Sequence, residues 1–230
     1  MNNECLICGK PLKYFPESQE MECHFCHRKF KSNTSCEDGH YVCDECHAQQ
    51  GFEAIRKYAL SSKSCNPIEI AAGMMHSPSI HIHGNEHHVL VGAALLTAYH
   101  NAGGDINLEK ALMEMEKRGK QVPGGACGFW GACGAAISSG MFISIVSGST
   151  PLKQEEWGLS NLMTSKSLCS IGEIGGPRCC KRDSFLSIRN AVDFCAENFG
   201  VRMQLPDKIV CEFSKFNNQC IGKRCPFHEE

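Results

Sequence analysis

From residue 48 onward the apolar positions of the chain recur every three to four residues, and before it they do not. Ala48 to Leu60 reads as an amphipathic helix, followed by the polar linker SSKSC. Asn66 ahead of Pro67 supplies a side-chain cap and a first-turn proline, so IEIAAGMMH is predicted to form a short helix. The run VLVGAALLTAYHN is apolar on nearly every side, which predicts a central buried helix stopped by Gly103 and Gly104. Asn107 caps LEKALMEMEKRG, an outer helix with Leu108, Ala111, Leu112 and Met115 on one face and Gly119 at its end. Ile137, Met141, Phe142 and Ile145 predict a helix from Gly134 onward through a stretch of very small residues. Thr150 and Pro151 open another toward Lys166, and Asp183 caps a last one with Phe185, Ile188, Val192, Cys195 and Phe199 inward. Strand-like alternation is confined to KIVCEF. The expected fold class is therefore mostly α: a helical domain in residues 53–230 around a buried central helix, with a small N-terminal zinc-binding module in residues 1–52.

Composition adds the candidate chemistry. Of 230 residues, 17 are cysteine and 11 histidine, which is far more ligand than a helical core needs. An odd cysteine number, repeated C-x2-C pairs and an opening MNNECLICGK that does not read as an export signal predict metal-bound thiolates in a reducing cytoplasm, not disulfides. No apolar run approaches the length of a bilayer span, so no membrane role is expected. A net charge of -2 offers nucleic acid no overall basic field.

Cys5 and Cys8 form one C-x2-C pair and Cys23 and Cys26 a second. Cys36, His40, Cys43 and Cys46 supply four further ligands, with His47 competing for the last place. Tetrahedral zinc takes four such donors, so the module is predicted to hold two ions. Spacing leaves open whether the pairs close sequentially or crossed. Sequential closure is preferred, because the first four ligands already make a zinc ribbon. So short a stretch cannot bury a core, and the metal would supply its folding free energy. A protein or RNA partner, if there is one, would meet the chain through this module. In the tail, Cys211, Cys220, Cys225 and His228 have C-x8-C-x4-C-x2-H spacing, which predicts a third metal site. Phe213, Lys215, Phe216, Lys223 and Arg224 around them are too few for a persuasive RNA patch.

Two further groups suggest a site. His76, His81, His83, His87 and His88 cluster beside Glu86 ahead of the central helix, as acid-base groups or ligands, and His83 and His88 are the chosen pocket residues. Cys133 precedes the small-residue helix, where unpaired amides lower a thiol pKa. Tight packing of that helix around buried Cys127 and Cys133 explains the segment equally well. A second group, Cys169-SIGEIGGPR-Cys179-Cys180-KRD, read as a glycine-rich turn, favours a site.

The order of these motifs over about residues 67 to 200 resembles the catalytic α-chain domain of iron-sulfur-dependent L-serine dehydratases, and more distantly the related cysteine desulfidases. Ser77-Pro78-Ser79 stands where that family has an Ala-Pro-Thr turn before its buried helix. Gly124-Gly125-Ala126-Cys127 to Cys133-Gly134-Ala135-Ala136 resembles its Gly-Cys-rich entry to a small-residue helix. Cys169 and Cys180 have its C-x10-C spacing, and Cys179-x-x-Arg182 resembles its Cys-x-x-Arg. The resemblance implies a [4Fe-4S] cluster held by Cys127 or Cys133, by Cys169, and by Cys179 or Cys180, with one iron open to a small substrate as a Lewis acid. It further implies that Arg178, Lys181 and Arg182 meet a substrate carboxylate or phosphate. The histidine cluster is not part of that family's pattern; from the residues themselves, a nearby histidine, His83 or His88, is expected to move the proton. The expected function is elimination of water or sulfide, or sulfide transfer. Against it stand a zinc-stabilised interaction or RNA-associated protein without catalysis, and a thiol-redox protein using Cys127 and Cys133 or the vicinal Cys179 and Cys180.

Overall fold

The computed structural model describes residues 5–229, and over them the chain is mostly α-helical with one small sheet. Leu12–Glu22 (β1) and Lys29–Cys36 (β2) form an antiparallel hairpin in a register that pairs Leu12 with Cys36 and Glu22 with Lys29. The pairing slips between Tyr14 and Gln19, where Pro16 cannot donate to a ladder, and a slip of this kind bends the hairpin. Its tip folds over until the rings of His24 and His40 meet at 5.4 Å. This hairpin is absent from the sequence reading because β1 has almost no buried side, so no apolar alternation marks it. KIVCEF, the expected strand, is irregular.

Eight helices follow: α1 (Asp44–Ser61), α2 (Pro67–Met75), α3 (His87–Asn101), α4 (Leu108–Gly119), α5 (Ala126–Phe129), α6 (Gly134–Ser147), α7 (Glu155–Ile174) and α8 (Cys180–Phe199). Asn66 accepts from the amides of Ile68 and Glu69, and Asn107 from that of Lys110, as their cap positions require. α3 is the central buried helix: Val89 to Tyr99 is buried throughout, with α1, α2, α4, α6 and α8 around it. Each leucine-sized side chain enclosed there contributes about 1.5–3 kcal/mol. α1 crosses the 52/53 boundary; Cys46 stands in its first turn, while Ile55 and Ala59 enter the helical core.

The small residues of α6 are used for packing. A methyl group at Gly140 would lie 1.9 Å from Thr164 Oγ1 on α7, and Ser138 Oγ accepts from the amide of Gly92 on α3 at 2.9 Å. Two helix limits differ from expectation. α7 begins after the Thr150-Pro151 turn, tolerates Gly172, and ends only at Gly175, where φ is 76°. Cys169 therefore stands on a helix and not in a glycine-rich turn. The cap of α8 is Cys179, whose sulfur accepts from Arg182 N, and Asp183 is a buried residue of the first turn. No helix among the described residues is long and apolar enough to cross a membrane.

Candidate metal centres and a cysteine-arginine pocket

The module gathers two four-ligand sets: Cys5, Cys8, Cys36 and His40, and Cys23, Cys26, Cys43 and Cys46. The pairs are thus crossed, and the preferred sequential closure is overturned. β1 stands between the first pair and the second, whereas its register brings Leu12 beside Cys36, and Cys23 bridges to Tyr41. Cys8 and Cys36 sulfurs lie 3.8 Å apart, as do those of Cys26 and Cys43. A tetrahedron with zinc-sulfur bonds of about 2.3 Å places its sulfurs about 3.8 Å apart, so both cages fit zinc. Burial raises the Cys23 thiol pKa, but the amides of Cys43, Cys26 and Phe25 outweigh it and bring the value down to about 6. For Cys36, amides of His40 and Asp38 likewise overcome burial, to about 7.

A third group sits where α1 leaves the module. Ring nitrogens of His47 and His81 and a carboxylate oxygen of Glu86 lie within 4.8 Å of one another. Glu86 Oε1 accepts from both the ring Nδ1 and the backbone amide of His81, at 2.7 and 2.9 Å. Burial alone would raise the Glu86 pKa, but His81 holds it down at about 2. The rings of His47 and His81 lie 3.6 Å apart, and burial, with His81 adding to it, lowers the His47 pKa to about 4. His47 Nδ1 is buried with no hydrogen-bond partner.

Behind this group Lys181, on the first turn of α8, is 1% exposed. Its Nζ donates to His81 O at 3.0 Å and to His87 Nε2 at 3.1 Å, and lies over the Phe213 ring at 4.9 Å. His87 Nδ1 donates to Gly84 O, which leaves Nε2 as the acceptor. Burial lowers the Lys181 pKa to about 8, against the pull of nearby thiols and Glu86.

On the other side of the α8 start lies a pocket of about 550 Å³ whose lining includes Cys127, Cys133, Arg178, Arg182 and Asp183. Gly125, with φ 81°, makes the turn that enters α5. Arg182 is 3% exposed; its Nε donates to Asp183 Oδ1 at 3.0 Å and its Nη2 to Pro177 O. The Cys133 thiol donates to Asp183 Oδ2 at 3.7 Å. Cys133 is the cap residue of α6, but burial, with Asp183 adding to it, pushes its pKa up to about 12 in spite of the helix amides. The expected lowering of this thiol is thus reversed by its surroundings. Cys180 lies close enough to add a smaller upward push.

Of the remaining predicted residues, His88 presses against the start of α6: a methyl group at Gly134 would fall 2.0 Å from its ring. Its Nδ1 donates to Val122 O, leaving Nε2 as an acceptor, and burial lowers its pKa. His83 Nε2 meets Asn217 Oδ1 at 3.1 Å, and Asn217 Nδ2 in turn donates to Cys179 Sγ at 3.5 Å. Cys169 is exposed on α7 beside Glu173 and does not line the pocket. Cys211, Cys220, Cys225 and His228 do not close on one ion as the module's ligands do. The tail folds back so that Cys211 senses the charges of Cys179, Cys225 and Cys220, with Asn217 O accepting from the Cys220 amide. Phe213 and Phe227 anchor the tail, buried against the helical domain.

Sequence reasoning gave Lys181 a substrate contact, where the structure buries it on His81 O and His87 Nε2, gave Asp183 a cap, where it holds Arg182, and did not join His47 to His81 and Glu86. A lysine beside two arginines carries no sign of burial, and His47 is separated from His81 by two helices' worth of chain. The signal that was present is Gly51, inside α1, and Gly84, at the turn before α3, which leave room for the Glu86 side chain.

The model of a family of unknown function, DUF5714, matches residues 55–228. No curated protein and no solved structure matches the chain.

Proposed function

The chain belongs to this family of unknown function, and we propose that it is an iron-sulfur-dependent enzyme that acts on a small carboxylate-bearing substrate, by elimination of water or sulfide or by sulfide transfer. The observation that carries this reading is that Cys127, Cys133, Arg178 and Arg182, from separate segments of the chain, line one pocket. The resemblance to the serine dehydratases points to the same residues in part: Cys127 and Cys133 line the pocket, Cys169 lies outside it on α7, and Cys180 lies outside the lining but close enough to act on Cys133, so the thiols that would hold a cluster are Cys127, Cys133 and Cys180. A bound cluster with one open iron supplies a Lewis acid for a leaving hydroxyl or thiol.

The chain's own residues account for the rest. Asp183 and Pro177 O fix the Arg182 guanidinium, whose Nη1 is left to face a substrate carboxylate beside Arg178. Each such charge-assisted contact contributes about 1.5–3 kcal/mol to holding the substrate. His88, neutral through burial, packs its ring against Gly134 beside Cys133 and outside the pocket lining, so as the group that takes the proton next to the carboxylate it would have to reach the substrate past the start of α6. In the elimination the hydroxyl or thiol departs as water or hydrogen sulfide, and the enamine formed hydrolyses to a 2-oxo acid and ammonia, with no net redox change.

A second reading, a zinc-stabilised protein that binds protein or RNA without catalysis, is favoured by the closed four-ligand cages of the module. The two separate when the full chain, reconstituted with iron and sulfide under anaerobic conditions, is given hydroxy and thiol amino acids and the release of 2-oxo acid, ammonia and sulfide is followed. Turnover that is lost in Arg182→Ala supports the enzyme. A cluster-loaded chain that turns over none of them leaves the interaction reading standing.

A further inference from the structure

We propose that His47, His81 and Glu86 form a third metal site, for a borderline divalent transition ion such as zinc or ferrous iron, open to the cleft between the module and the helical domain. The three ligand atoms already lie within 4.8 Å of one another. Two imidazoles and a carboxylate are the donor set that catalytic zinc and non-haem ferrous sites use, and they leave coordination positions unfilled. Here those positions have somewhere to face: both His47 and His81 line a cleft of about 670 Å³, with Tyr14, Lys31 and Tyr41 on the module side and Pro78 on the helical side.

The site is built, not incidental. Glu86 is 1% exposed, and its carboxylate is seated where two glycines make room. A methyl group at Gly84 would lie 2.0 Å from Glu86 Oε2, and one at Gly51 would lie 2.7 Å from Glu86 Cγ. The hydrogen bonds from His81 orient the carboxylate and the ring together before any ion arrives. A salt bridge between His81 and Glu86 would account for those two residues but not for His47, whose Nδ1 is buried without a partner. Lys181 holds the His81 backbone from behind, so the ligand loop is fixed to α8 while His47 is fixed to α1. Because the set contains no thiolate, its ion exchanges more readily than those in the cysteine cages. Water or a small oxygen anion completes the coordination.

The test is a count on the full chain, loaded with zinc or cobalt and dialysed against a mild chelator. The wild type is expected to saturate at three ions, two retained in the cages and one that exchanges, while Glu86→Gln and His81→Ala saturate at two. With cobalt in the exchangeable position, azide shifts the visible absorption of the wild type and not of Glu86→Gln, which serves as the conservative variant should His81→Ala not fold. Saturation of the wild type at two ions, or a third exchangeable ion in both folded variants, overturns the site. Acid-labile sulfide counts any iron-sulfur cluster separately, so the result stands whichever way the pocket reading falls.

Discussion

The backbone carbonyl of His81 accepts a hydrogen bond at 3.0 Å from Nζ of the buried Lys181. One residue thus turns its ring to the cleft beside the zinc module and its carbonyl to the start of α8, where Arg182 and Asp183 enter the cysteine pocket. The two candidate centres share this link, and Lys181, already lowered to a pKa of about 8 by burial, has its ammonium satisfied by His81 O, His87 Nε2 and the Phe213 ring.

Lys181→Ala should therefore be among the most damaging substitutions outside the apolar core. It strands two buried acceptors and opens a void, which together cost about 2–5 kcal/mol. Lys181→Met, which keeps the stem, should lose less. Urea denaturation followed by circular dichroism measures both; a Lys181→Ala chain as stable as the wild type would mean that the link carries no weight.

The crossed cages predict an outcome that sequential ones do not. Cys8→Ser with Cys36→Ser removes two ligands of one cage and should release a single zinc, whereas Cys8→Ser with Cys26→Ser strikes both cages and should release two. Sequential pairing reverses the two results. Zinc counting on the purified double variants decides it.

Acidification should weaken the fold in part through His88. Burial lowers its pKa in the folded chain below the ordinary 6.5 that it regains on unfolding. Above that value neither state binds the proton and the fold is unaffected; as pH falls through and below it the unfolded chain takes up a proton that the folded one resists, so stability drops. His88→Gln should flatten this slope. Melting temperatures compared at roughly pH 7.5 and 5.5 test the sign, and an unchanged slope in the variant would place the acid sensitivity elsewhere.

The helical half was legible because its physics is local. The Asn66 and Asn107 caps and the unbroken apolar run of α3 each announce themselves in a few residues. The hairpin was not, because it has no apolar face to mark it, and neither was its register, which decides the crossing of the cages. At the candidate site, the resemblance grouped Cys127 and Cys133 with Arg178 and Arg182, which line one pocket, but Cys169 was misplaced because the helix was run only toward Lys166 and the segment after it was read as a glycine-rich turn. Cys133 shows the limit of position alone: it occupies the expected cap, yet burial and Asp183 reverse the expected shift.

The most direct test of the account is the iron and acid-labile sulfide content of the full chain purified without oxygen, alongside Cys133→Ala, Cys169→Ala and Cys211→Ala. The cluster placed at the pocket predicts about four irons and four sulfides in the wild type, in Cys169→Ala and in Cys211→Ala, and loss of both in Cys133→Ala. Retention in Cys133→Ala together with loss in Cys211→Ala would contradict it, moving the cluster to Cys179 and the tail thiols, and absence of iron and sulfide throughout would remove the cluster from the account.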